Sequence, residues 1–281
     1  MFRENALKAK IAAGEPTLGV WLQMSEPSIA EIASLVGYDC LILDNEHGFA
    51  SLDTTVHMMR AAQAGNATCM VRCPGSDGDY MKRVLDAGAE ALMIPMVESA
   101  AEAKAIVDAC RYPPQGRRGY SAPTVRASGY GAAPDYADRA NDNLLICVQI
   151  ESDNAVAQAG AIAAVDGVDL VFIGVADLSG SIGLLGQPGD PKVTRQIEKA
   201  ERAIRKAGKP LGTIPRPGHS LTDLVAEGYS FVAGLADAYL LRAGMQADVD
   251  AFRSSINQAD KSTTKPAGKS AAKKTRKIKS K

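Results

Sequence analysis

Eight short apolar runs recur along the chain, each separated from the next by a stretch long enough for a helix, and this alternation constrains the fold more than any other feature. The runs are Leu18–Gln23, Cys40–Asp44, Thr68–Arg72, Ala91–Met96, Leu144–Ile150, Leu170–Gly174, Pro210–Ile214 and Phe231–Leu235. They are rich in Val, Ile and Leu without clean alternation, as strands buried on both faces should be. Between them, Ile29, Ile32, Ala33 and Val36 mark one apolar helix face, and Ser99 followed by Glu102 is a capping box opening a helix at Ala100. Gly37, Gly65, Gly88 and Gly208 stand where helices should end. Eight strand–helix units of roughly thirty residues predict an α/β fold, a single-domain (β/α)8 TIM barrel. A doubly wound sheet is the runner-up, but no GxGxxG opens a helix after the first strand. The gap from Tyr112 to Asn143, rich in Gly, Pro, Arg and Tyr, reads as a long loop of the kind that is functional or covers a site.

The formal charge of zero hides an asymmetry. Nine of the 32 basic residues and one of the 32 acidic ones fall within 258–281, which leaves residues 1–257 with a net of about −8. The tail is too polar to bury a core, so the expected organisation is a barrel domain over 1–257 and a disordered Lys-rich tail over 258–281. Such a tail could touch nucleic acid or anionic lipid only non-specifically, and a merely solubilising tail explains it as well. No run approaches the eighteen or so apolar residues of a membrane span, and MFRENALKAKIAAGEP lacks an apolar signal-peptide centre. Five cysteines without a CxxC pair read as reduced thiols, and the expected compartment is the cytoplasm.

In a barrel, side chains at the C-terminal ends of strands gather around the active site. Those positions carry Gln23; Asp44, Glu46 and His47; Arg72; Gln149 and Glu151; and Asp177. Glu151 and Asp177, on consecutive predicted strands, could grip a hard divalent cation such as Mg²⁺ or Mn²⁺, although a carboxylate there can equally cap the following helix. His47 is the histidine at a predicted strand end, with acidic neighbours, and suits a general base. Arg72 has the fixed donor geometry to hold a carboxylate or an enolate oxygen, or it simply pairs with Asp44 or Glu46. None of the eight runs contains a lysine, which disfavours a Schiff-base aldolase and leaves a metal as the electron sink.

GVWLQ at 19–23, LDNEHG at 43–48, VR at 71–72, LDAGAEALMIPMV at 85–97, YPPQGRRGYS at 112–121, RASGYG at 126–131, VQIES at 148–152 and FIGVADLS at 172–179 resemble the HpcH/HpaI class II aldolases. The match runs from about residue 5 to 255 and leaves the tail outside. The resemblance implies a TIM-barrel aldolase that needs Mg²⁺, Mn²⁺ or Co²⁺ and releases pyruvate and an aldehyde. It also implies a homo-oligomer, usually a hexamer built as a trimer of dimers, with C-terminal helices exchanged. On this sequence Glu151 and Asp177 match the metal ligands, His47 the base, Asp86 the acid that strengthens it, and Arg72 the enolate-stabilising residue. Gln149, Ala176 and Asp177 match positions that contact the keto acid, and Trp21 and Ile214 positions that line the aldehyde's distal part. Two departures stand out: Val175 where proline is common, and IPRPGHS after the seventh strand.

The expected reaction is reversible cleavage of a 4-hydroxy-2-oxo acid, such as a 2-keto-3-deoxy sugar acid or 4-hydroxy-2-oxoheptanedioate. Two alternatives stay open: decarboxylation of oxaloacetate through the same enolate, and a non-catalytic barrel whose basic tail binds nucleic acid.

Overall fold

The computed structural model describes residues 2–263, with side chains through Asn257. Eight parallel strands close on themselves in sequence order: β1 (Thr17–Leu22), β2 (Cys40–Asp44), β3 (Thr68–Arg72), β4 (Ala91–Ile94), β5 (Leu145–Ile150), β6 (Leu170–Ile173), β7 (Leu211–Thr213) and β8 (Phe231–Ala236). Around them run α2 (Pro27–Val36), α3 (Leu52–Ala61), α4 (Gly78–Asp86), α5 (Ala100–Cys110), α7 (Asp153–Ala163), α9 (Pro191–Lys206) and α10 (Leu221–Ala226), with α6 (Tyr136–Asn143) before β5 and the short α8 (Val175–Ser181) after β6. The α/β barrel predicted from the alternation is the fold.

The period of two along each strand sorts its side chains between two cores. Cys40, Ile42, Met70, Met93, Cys147, Phe172, Phe231 and Ala233 fill the interior, while Leu41, Leu43, Val71, Leu92, Val148 and Val171 pack outward under the helices. Gly19 of β1 is part of this jigsaw, because a Cβ there would stand 2.7 Å from the Phe231 ring. The lower end of the barrel is closed by α1 (Ala6–Ala12), whose buried Leu7 and Ile11 join the interior cluster. Asn5 caps this helix by accepting from the Lys8 N–H at 3.0 Å. With one end plugged, the interior opens toward solvent at the C-terminal ends of the strands.

Three local expectations are revised. The stretch 112–143 is not wholly loop, since it contains a 3-10 turn at Arg126–Ser128 and α6, whose Tyr136 and Ala140 are buried. On α2, Ala33 is buried as expected, but Ile32 and Val36 are 60% and 72% exposed. Ser99 does cap α5, accepting from the Glu102 N–H at 3.2 Å, whereas the Glu102 carboxylate accepts from the Glu98 N–H rather than closing the box.

The chain divides into two compact units, one ending at Ala238 and one beginning at Tyr239. The second carries most of α11 (Asp237–Thr263). Leu241, Met245, Val249, Phe252 and Ile256 recur along it at three- and four-residue spacing, and all are exposed. The boundary expected at 257/258 falls inside this helix, and the rest of the predicted tail, 264–281, lies outside the described residues. No helix among the described residues is long and apolar enough to cross a membrane. All five cysteines are free and buried.

Candidate active site

Asp44, the last residue of β2, points into the open end of the barrel and is the hub of the polar cluster there. It is 1% exposed, a position a lone carboxylate could not occupy without partners. Its Oδ1 accepts from Arg72 Nε at 2.9 Å and from the Glu46 and His47 backbone N–H groups at 3.1 Å each. Its Oδ2 accepts from Arg72 Nη2 at 2.6 Å and from Gln23 Nε2 at 2.9 Å. Burial opposes ionisation, but the hydrogen bonds from Arg72 and Gln23 outweigh it and hold the carboxyl below its ordinary value. One carboxylate therefore fixes both the Arg72 guanidinium and the turn that carries His47.

Arg72 is bidentate to Asp44, reaches Glu46 Oε2 with Nη1 at 3.1 Å, and lies 4.5 Å above the Trp21 ring. The pairing expected as the simpler alternative for Arg72 is thus present, with both acids. His47 is mostly exposed, and its Nε2 stands 3.9 Å from Glu46 Oε1, outside hydrogen-bond range.

Across the mouth, β5 delivers Gln149 and Glu151, both buried. Glu151 accepts from Gln149 Nε2 and from the Met96 backbone N–H, each at 2.9 Å. Its pKa is pushed up to about 7, first by burial and then by the charges of Asp177 and Glu46, against the lowering effect of the Met96 N–H. Burial, Asp44 and Asp177 likewise raise Glu46, partly offset by Arg72. Asp177 sits exposed in the first turn of α8, beside exposed Ala176. Three carboxylates thus face one another across the mouth. Beside them, the buried Oε1 of Gln149 has no hydrogen-bond partner among the described residues. Among the described residues, no group of three His, Cys, Asp or Glu is arranged to hold a metal ion. Two carboxylates and an orphaned amide oxygen are nevertheless a donor set that suits a hard divalent cation, with water or substrate completing its shell.

Glu151 has room only because residue 174 is glycine. The φ of Gly174 is an ordinary −86°, yet a Cβ there would lie 2.2 Å from Glu151 Oε1. Gly174→Ala is expected to displace this carboxylate and cost about 1–3 kcal/mol of overpacking, read as a lower denaturation midpoint in urea. An unchanged midpoint would contradict the close approach.

The sequence-derived residues distribute unevenly. Asp44, Arg72, Glu46, His47, Gln149, Glu151 and Asp177 meet at the mouth, and Trp21 and Ile214 pack on the upper edge of the interior cluster. Asp86 does not join them. It ends α4, which runs back from the mouth to the lower end of the barrel, and it accepts there from Arg118 Nη2 at 2.6 Å. Sequence reasoning missed the Met96 N–H, Gly174 and the buried Asp237, which accepts from the backbone N–H groups of Gln23 and Met24. Backbone donors and close approaches leave no side-chain signature; an acid at the end of the eighth run was the one available sign.

Comparison with known proteins agrees with this fold. The profile of the HpcH/HpaI aldolase/citrate lyase family matches residues 17–243. The chain is similar to a 4-hydroxy-2-oxovalerate aldolase of Novosphingobium aromaticivorans, 42% identical over 85% of this chain and 91% of that one. It is also similar to a 2-keto-3-deoxy-L-rhamnonate aldolase of Klebsiella pneumoniae, 36% identical over 92% and 97%. A crystal structure of a family protein from Burkholderia cenocepacia superposes with a TM-score of 0.83 at 34% identity, covering 88% of this chain and 99% of that one.

Proposed function

The chain belongs to the HpcH/HpaI aldolase/citrate lyase family, and from that premise we propose that it is a lyase, a divalent-metal-dependent aldolase that cleaves 4-hydroxy-2-oxo acids reversibly to pyruvate and an aldehyde. The 2-keto-3-deoxy sugar acids are the favoured substrates, in keeping with relatives named hydroxypyruvate/pyruvate aldolase and 2-keto-3-deoxy-L-rhamnonate aldolase. The observation that carries this reading is the mouth itself, where Glu151, Asp177 and the orphaned Gln149 oxygen stand opposite Arg72.

Glu151 and Asp177 would hold a Mg²⁺, Mn²⁺ or Co²⁺ ion. Such an ion supplies Lewis acidity toward the 2-keto oxygen. Gln149, Ala176 and Asp177 border the keto-acid half, and Trp21 and Ile214 the aldehyde half. His47 takes the proton of the C4 hydroxyl; the C3–C4 bond breaks, and its electron pair passes into the pyruvate enolate. The fixed cation of Arg72 meets the charge on the enolate oxygen, and His47 is placed to return its proton to C3. Oxaloacetate decarboxylation would draw on the same enolate as a side activity.

Asp86 can strengthen His47 only from another subunit, because within one chain it lies at the far end of the barrel. The exposed apolar stripe of α11, and the exposed Ile32, Leu35 and Val36 of α2, support a homo-oligomer that buries them, and a hexamer is the expected form. The cytoplasm is the expected compartment, where the five free thiols stay reduced.

Dialysis against a chelator is expected to lower cleavage of a 2-keto-3-deoxy acid by roughly two orders of magnitude or more, and Mg²⁺, Mn²⁺ or Co²⁺ to restore it. Full activity after exhaustive chelation would remove the metal from the reading. A panel of aldehydes offered with pyruvate identifies the second product.

A further inference from the structure

We propose that Asp237 and Gln23 are positioning residues that hold the Arg72 guanidinium in place, acting on it through Asp44. The inference rests on the role given above to Arg72.

The backbone alone does not specify where Gln23 goes. The β1–β8 ladder loses register between Gly19 and Trp21, and β1 ends at Leu22, one residue short of Gln23. Asp237 takes over at that point. It is 4% exposed, and its carboxylate accepts from the Gln23 N–H at 3.1 Å to both oxygens and from the Met24 N–H at 3.0 Å. Its third donor is the Ala238 N–H at 2.7 Å, as expected of an acid opening α11. Helix capping accounts for that bond alone. The bonds to Gln23 and Met24 tie the end of β8 to the turn after β1.

From this anchored backbone the Gln23 side chain reaches Asp44. Its Nε2 donates at 2.9 Å to Oδ2, the oxygen that also accepts from Arg72 Nη2. Arg72 Nε and two backbone N–H groups hold Oδ1. Gln23 thus supplies the second side-chain donor to Oδ2, beside Arg72. A guanidinium bound in a two-pronged fork follows the plane of its carboxylate, so rotation of Asp44 would swing the cation off the Trp21 face and away from the reacting oxygen. A misplacement of about 1 Å at a reacting centre can cost up to about a hundredfold in rate.

The test uses the full-length enzyme loaded with its divalent cation. Deuterium exchange at C3 of pyruvate reports enolate formation, and cleavage kinetics give kcat and KM. Gln23→Ala and Asp237→Asn are each expected to lower kcat and the exchange rate roughly tenfold to a hundredfold, with KM for the keto acid nearly unchanged. The decisive arm is Gln23→Ala combined with Arg72→Lys, where the Gln23 effect should vanish because the fork it steadies is gone. An equal loss in both backgrounds, or wild-type kcat in Gln23→Ala, overturns the proposal. If Asp237→Asn fails to fold, the Gln23 pair of variants decides alone. Absence of exchange and cleavage in the wild-type enzyme would instead sink the aldolase reading, and this inference with it.

Discussion

Replacing Arg72 with lysine is expected to slow pyruvate C3 exchange and aldol cleavage by about 10²- to 10³-fold while the protein stays folded. Lysine keeps the charge but offers a point donor in place of a planar fork, so it cannot serve Asp44 with two parallel bonds while also pairing with the Glu46 carboxylate. Loss of one preorganised donor to a developing oxyanion has effects of this size. Alanine at the same position adds a second penalty. Asp44 is 1% exposed and Arg72 7%, so removing the guanidinium strands a buried carboxylate, at a cost of about 3–5 kcal/mol. Arg72→Ala should therefore unfold at markedly lower urea, and Asp44→Asn in that background should recover part of the loss. Near-normal exchange in Arg72→Lys would show that the ion pair is architectural only, the simpler reading of the sequence.

The barrel was legible because its strands are buried on both faces. β2 and β3 begin and end at the residues expected, since each is an apolar run closed by a polar side chain, Asp44 or Arg72, that faces the mouth. Elsewhere the same logic had less to work with. In α6 only Tyr136 and Ala140 are buried, so a helix of eight residues leaves too few apolar positions for a periodic signal. On α2, hydrophobicity pointed inward for Ile32 and Val36, yet both are exposed in the single chain. Apolar pattern reports a preference for burial without saying against what, so an apolar face that the chain itself leaves uncovered reads like one packed on the core.

The candidate site was legible where polar side chains sit at a strand end and illegible where it depends on the path between strands. Asp44, Arg72, Glu151 and Asp177 follow from their places along the runs. Asp86 came from resemblance alone, and the topology of α4 sets it at the opposite end of the barrel from His47. The Met96 N–H on Glu151 and the Asp237 clamp on Gln23 arise from loops meeting in space, which no spacing in one dimension announces.

Glu151→Gln should separate stability from function more sharply than any other single change. Burial, with the charges of Asp177 and Glu46, pushes the Glu151 carboxyl up to about 7 from its ordinary 4.5. Between those values the folded chain holds a proton that the unfolded chain has released. Stability from this group is accordingly complete at low pH and declines as pH rises through about 7. A rise from 4.5 to about 7 corresponds to about 3 kcal/mol. Glutamine mimics the protonated form. The metal-free variant is expected to be more stable than wild type at pH 8, with Tm higher by roughly 5–10 °C, and no more stable at pH 5. Function should move the other way. With one of its two carboxylates gone, the site should lose the rise in Tm that divalent cations give the wild type, and cleavage should fall by about 10²-fold or more. In the wild type that rise should itself grow with pH through about 7, because the cation must displace the proton on Glu151. A thermal-shift series over pH, with and without Mn²⁺, reads both effects. If Glu151→Gln were less stable than wild type at pH 8, or still gained stability from the cation, the carboxylate cluster would not be a cation site.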